Sequence, residues 1–181
     1  MPHISLPENV PGIRSLAQYR PDTGKPLYEL AQVLLRGESP LSPAERELIA
    51  TFVSAKNNCT FCTQSHAAAA RELFGEDRDV VDFTLSEYEA APISEKMRAL
   101  LNIAGQVQTD ARFVSEAQVA NARLHGASDR DIHDTVLIAA TFCLFNRYVD
   151  GLATLTPSDP ADYGAMGERM AAVGYVVPMP T

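Results

Sequence analysis

The run Ser42-Pro43-Ala44-Glu45-Arg46-Glu47-Leu48-Ile49-Ala50-Thr51-Phe52-Val53-Ser54-Ala55-Lys56-Asn57-Asn58-Cys59-Thr60-Phe61-Cys62-Thr63-Gln64-Ser65-His66 decides the fold. It opens as a helix start: Ser42 caps, Pro43 suits the first helical position, and Glu45 returns a hydrogen bond to the cap. Leu48, Ile49, Phe52 and Val53 then recur at the spacing of one helix face. Asn57-Asn58 is a cap and turn signal, because short amide side chains satisfy the backbone groups a helix end leaves open. Two helices joined by a reversal are expected, an antiparallel hairpin whose second arm starts with a C-x-x-C pair.

The rest of the chain has the same character. Of twelve prolines, only Pro92 lies between residues 44 and 156, so the middle of the chain is free of helix breakers. Met97, Leu100, Leu101, Ala104 and Val107 recur at helical spacing, as do Ile132, Val136, Leu137, Ala140 and Leu144. Ser94, Ser115 and Ser128 read as further caps, with Asp131 as the reciprocal acceptor for Ser128, and Gly75 and Gly126 suit helix ends. Helices are expected over 26–36, 43–56, 59–74, 94–108, 115–125, 128–152 and 160–172, with no alternating strand pattern. The fold class is all-α. A single domain is expected, made of an N-terminal arm over 1–25, a helical core over 26–156, and a C-terminal helix and tail over 157–181.

Composition limits the partners. At 181 residues and 46% hydrophobic content, the chain can bury about two thirds of its unfolded surface in one core. A net charge of -8 with no basic cluster argues against nucleic acid and anionic membranes. The longest apolar stretch, 136–145, is far shorter than the ~20 residues of a spanning helix. No cationic segment followed by an apolar run opens the chain, so a cytoplasmic protein is expected.

The chemistry concentrates at the hairpin. Cys62 and His66 are i and i+4, on one helix face. Both Cys59 and Cys62 fall in the first turn, where unpaired N–H groups favour a thiolate. If the chain reverses at Asn57-Asn58, Glu47 lies ten residues before the turn and His66 eight after it, at nearly one level. Glu47 would then orient His66 or take its proton, and His66 would take a proton from Cys62, which is the nucleophile, base and orienter logic of covalent catalysis. Cys62 is thereby singled out as the activated sulfur, with Cys59 placed to condense with a sulfenic acid on it. Two other readings stand beside this one. Cys59, Cys62, His66 and Glu47 are also types that zinc accepts, though no second Cys or His pair accompanies them. The third reading is that the cysteines serve packing alone.

The pattern Glu47, eleven residues, Cys59-x-x-Cys62, three residues, His66 resembles the alkylhydroperoxidase AhpD-like family of the carboxymuconolactone decarboxylase-like superfamily. Leu41 to Leu48, Gly126-Ala127-Ser128-Asp129 and Asn146-Arg147 share in the resemblance, which spans roughly residues 25–155. In chain length it is similar to the branch of uncharacterised peroxidase-related proteins. The resemblance implies an all-helical homo-oligomer that reduces hydroperoxides without a cofactor. It makes Cys62 the peroxidatic thiol, Cys59 the resolving thiol, and Glu47 and His66 a proton relay. It also implies an external dithiol reductant, a lipoyl-bearing or thioredoxin-like protein. Some members carry a second histidine just before the second cysteine, where this chain has Phe61, so the relay here is shorter. The alternatives are a general thiol–disulfide oxidoreductase and a non-redox helical oligomer that binds a ligand or metal.

Other features have plainer readings. Pro40-Leu41-Ser42 with Arg46, Leu48 and Ile49 recurs as Pro92-Ile93-Ser94 with Arg98, Leu100 and Leu101. These are either two related helical units or two capped amphipathic helices, and only the first carries the chemistry. Cys143, in the apolar stretch, reads as an inert core thiol. His125 suits a helix C-terminus, His133 a polar face, and His3 a mobile tail. Asn146 and Arg147 read as a polar pair bridging neighbouring helices.

Overall fold

The computed structural model describes residues 1–175, and among these every regular element is helical. The α-helices are α1 (Ile13–Tyr19), α2 (Pro21–Arg36), α3 (Pro43–Lys56), α4 (Thr60–Phe74), α5 (Asp79–Glu87), α6 (Glu95–Asp110), α7 (Glu116–Leu124), α8 (Asp129–Gly151) and α9 (Pro160–Val173). The part of the expected C-terminal tail over 176–181 lies outside the described residues.

Local chemistry accounts for the boundaries. Ser42, Ser115 and Ser128 each accept from the backbone three residues on, and Glu45, Gln118 and Asp131 reach back to them. Ser94 caps α6 through the Met97 N–H. At the hairpin turn Asn58 takes a left-handed φ of 58°, a conformation asparagine tolerates better than most residues. The adjacent Asn57 amide donates to Asn146 Oδ1 at 2.8 Å, and Asn146 in turn donates to Ser54 Oγ at 3.1 Å. Asn146 thus ties the turn to α8, the bridging role its position suggested.

Two short helices, α1 and α5, were not legible, and α2 begins at Pro21 instead of residue 26. Neither the α1 nor the α5 N-cap makes a side-chain hydrogen bond, and each helix is too short to display a period. Pro26 reads as a helix start but lies inside α2, and the true first-position proline is Pro21. The N-terminal segment is also anchored: the His3 N–H donates to Leu152 O at 3.0 Å and the Gly12 N–H to Leu155 O at 2.9 Å.

The apolar residues of α8 divide between two faces. Leu137, Ala140 and Leu144 face outward, and Ile138, Phe142, Phe145 and Val149 enter the core with Asp131, Asp134 and Asn146. Those polar groups are satisfied by neighbours, Asp131 by Ser128 and Lys96, Asp134 by Ser39 and Arg130. Satisfied polar groups are tolerated inside, so the core-facing side of this helix mixes apolar and polar residues.

Packing centres on the antiparallel α3–α4 pair, with α9 laid along α4 and α6 and α8 closing the other side. A Cβ at Gly167 of α9 would come within 2.6 Å of the Ala68 backbone, so α9 and α4 touch nearly backbone to backbone. The main core includes Leu48, Ile49, Phe52, Leu100, Leu101 and Phe142. A smaller apolar cluster holds Leu16, Cys59, Phe61, Cys62, Ala68, Val149 and Tyr163. The repeated Arg46 and Arg98 have matching roles. Arg46 donates to the carbonyls of Leu34 and Gly37, and Arg98 to those of Tyr88, Glu89 and Ala91, each tying its helix to the preceding segment.

Candidate active site

The hairpin brings Glu47 and His66 together. Glu47, in α3, has no exposed surface, and its Oε2 lies 2.7 Å from His66 Nδ1 in α4. Contact with a carboxylate assigns Nδ1 as the protonated ring nitrogen and leaves Nε2 as the available base. The ring is held edge-on to Phe142 at 4.6 Å and lies nearly parallel to Tyr175 at 6.0 Å.

The other oxygen of Glu47 has two partners that the sequence did not reveal. Arg36 Nη2, at the end of α2, lies 2.6 Å from Oε1, and the Tyr175 hydroxyl donates to the same oxygen at 2.5 Å. A fully buried carboxylate needs such compensation. Burial pushes the Glu47 carboxyl up, but the charge and hydrogen bond of His66, then Arg36 and Tyr175, outweigh it and hold it below its ordinary 4.5. Burial, reinforced by the Glu47 charge, pushes the Tyr175 phenol well above its ordinary 10, so it stays a donor. The ionised Glu47 is thus held against His66 Nδ1 through Oε2.

The cysteines occupy unequal positions. Cys59 is the N-cap residue of α4 and fully buried; Cys62, one turn on, is 4% exposed. Cys62 borders a narrow cleft together with Ile13, Leu27, Tyr28, Phe61, His66 and Tyr175, whereas Cys59 does not line it. The cleft offers about 40 Å³ to water-sized molecules, room for more than one such molecule. Its hydrogen bond with Cys62, then burial, then the charge on Cys62 push the Cys59 thiol far above its ordinary value. Cys59 is the sulfur that keeps its proton. Among the described residues no hydrogen bond joins His66 to Cys62, although both face the cleft.

Phe61 borders the cleft yet is tightly packed, 3% exposed and 6.3 Å from the Tyr163 ring. Gly12 presses on it so closely that a Cβ there would lie 2.0 Å from Phe61 Cε1. The four-donor metal set is not assembled, because the Glu47 oxygens are turned to Arg36, Tyr175 and His66. Among the described residues no group of three or more His, Cys, Asp or Glu converges as a ligand set. Cys143 is half-buried with its sulfur 3.6 Å from Asn57 Nδ2; His133 pairs with Asp134 at 2.9 Å, and His125 ends α7.

A helix hairpin carrying a cysteine pair above a buried Glu–His pair defines the class, an AhpD-type helical core. Residues 21–86, from α2 to α5, match the carboxymuconolactone decarboxylase family. Two solved structures share the fold with a TM-score of 0.77 and 29% identity, each over 87% of this chain and 81% of its own. They are an uncharacterised peroxidase-related protein with an alkylhydroperoxidase AhpD core from Ralstonia eutropha JMP134 and one from Silicibacter sp. TM1040. A protein of unknown function from Agrobacterium tumefaciens, a candidate antioxidant defence protein AhpD, shares the fold at TM-score 0.69 and 21% identity, over 80% of this chain and 97% of its own. Among curated proteins there is no match. Residues 21–86 thus carry the carboxymuconolactone decarboxylase family match, on the fold of the AhpD-like structures.

Proposed function

We propose that the protein is a thiol-dependent alkyl hydroperoxide reductase acting through Cys62 and Cys59. The observation that carries this reading is the cleft shared by Cys62 and His66, with His66 Nδ1 held 2.7 Å from the buried Glu47. His66 Nε2 removes the Cys62 proton through a molecule held between them. The thiolate attacks the distal oxygen of the hydroperoxide, an S–O bond forms, the O–O bond breaks, and the leaving alkoxide takes the proton from His66. Sulfur is oxidised by two electrons and the peroxide reduced by two. The Cys59 sulfur then attacks the sulfenic acid on Cys62, the disulfide closes and water leaves with the Cys59 proton. An external dithiol reduces the disulfide and is itself oxidised. A slender lipoyl-type arm is favoured over a thioredoxin-like surface, because Cys62 is 4% exposed and borders a narrow cleft.

The same burial weighs against general exchange with the disulfides of folded proteins, where access sets the rate. Homo-oligomers of a cytoplasmic enzyme complete the proposal; among the described residues no helix is long and apolar enough to cross a membrane. The test is steady consumption of cumene hydroperoxide with dihydrolipoamide as donor. Wild type and Cys143→Ser are expected to turn over, and Cys62→Ser to be inactive. Consumption by Cys62→Ser at the wild-type rate would refute the assignment.

A further inference from the structure

The Glu47–His66 pair is completed from two parts of the chain far from the hairpin. Tyr175 follows the α9 cap residue Gly174, and its backbone N–H donates to Gln32 Oε1 of α2 at 2.7 Å. That anchor places the hydroxyl 2.5 Å from Glu47 Oε1 and 3.2 Å from His66 Nδ1. Arg36 fixes the opposite side. Its Nη2 lies 2.6 Å from the same oxygen and donates to Met170 O at 3.0 Å, while its Nη1 donates to Leu35 O at 2.8 Å. The guanidinium also stacks over the Tyr175 ring, 5.2 Å from its centroid. With Oε1 taken twice, only Oε2 is left for the imidazole.

We propose that Tyr175 and Arg36 are positioning residues of the Cys62–His66 site, which the segment after α9 completes by fixing the Glu47 carboxylate and hence the His66 tautomer. This inference rests on the peroxidase reading only for its effect on rate. The groups facing Glu47 are Arg36 from α2, His66 from α4 and Tyr175 from the segment after α9; Tyr28 of α2 and Cys62 of α4 border the same cleft. Tyr175 does not itself touch the sulfur. A phenol that donates to one carboxylate oxygen spreads its charge and restrains its rotation, which keeps the bond to Nδ1 directed. Loss of that donor frees the carboxylate to rotate and lets Nδ1 and Nε2 exchange roles.

The test is the nitrogen-15 spectrum of the His66 ring across pH in wild type and Tyr175→Phe, which keeps the ring and removes the hydroxyl. Wild type is expected to show one tautomer, protonated at Nδ1, and Tyr175→Phe a mixture. The rate of Cys62 oxidation by cumene hydroperoxide should fall roughly tenfold, as for one lost hydrogen bond to a charged group, with its pH profile displaced. An unchanged ring spectrum in Tyr175→Phe overturns the proposal whatever the enzyme's activity. A changed spectrum in a protein that never consumes peroxide leaves the positioning role standing and removes the peroxidase reading. Should Tyr175→Phe fail to fold, the wild-type spectrum decides: an Nδ1-protonated ring that holds a carboxylate-bonded downfield proton supports the arrangement, and an Nε2 tautomer refutes it.

Discussion

His66 Nδ1 and Glu47 Oε2 lie 2.7 Å apart across the α3–α4 interface, although nineteen residues separate them in the chain. The contact exists because the helices reverse at Asn57-Asn58, and His66 and Cys62 border one cleft. Glu47→Gln keeps the shape and removes the charge, leaving Arg36 buried without its partner. The expected cost is about 3–5 kcal/mol of stability, as for a broken buried ion pair. Chemical denaturation measures it, and the variant's Cys62 should react more slowly with peroxide.

Acid should destabilise the protein in a defined window. The Glu47 carboxyl sits below its ordinary 4.5 in the folded state, so between the two values the unfolded chain binds more protons. Its contribution is complete above about pH 4.5 and lost as pH falls through the folded value. Asp131 and Asp134 act in the same direction: burial raises both, but hydrogen bonds from Ser128 and Lys96, and from His133, Ser39 and Arg130, outweigh it. Denaturant midpoints between pH 6 and pH 3 should fall, and fall less steeply in Glu47→Gln. At the alkaline end the raised Tyr175 phenol reverses the sign, and stability should decline as pH rises above about 10.

The hairpin, its caps and the Glu47–His66 meeting were legible because each depends on nearby residues: a Ser-Pro-x-Glu start, an Asn-Asn turn, and two equal arms. The partners of Glu47 were not. A buried carboxylate calls for a cation, but which of fifteen Lys and Arg supplies it depends on where α2 ends in space. Tyr175 lies 128 residues from Glu47, in a segment whose apolar sequence carries no sign of a polar contact. The buried side of α8 was not legible for a related reason, since Asn146, Asp131 and Asp134 are buried with their partners while Leu144 is 49% exposed.

Phe61→His inserts the histidine that some relatives carry, but at a position packed under Gly12 and Tyr163. A buried imidazole with no partner there should cost about 1–3 kcal/mol. The rate of Cys62 oxidation should not rise. Thermal unfolding and stopped-flow oxidation together check both halves.

Gly12→Ala should loosen the N-terminal segment. Gly12 has φ of 56°, and an added Cβ would meet the Phe61 ring, so both backbone and packing resist the change. The strain is about 1–3 kcal/mol. Ile13, next in sequence, borders the cleft, so faster alkylation of Cys62 by iodoacetamide is expected.

Peroxide should drive Cys59 and Cys62 into one disulfide. Intact mass after alkylation, before and after one equivalent of tert-butyl hydroperoxide, tests it directly. Loss of two alkylatable thiols out of three is expected, kept in Cys143→Ser and abolished in Cys59→Ser and Cys62→Ser. Survival of all three thiols in the wild type would contradict it.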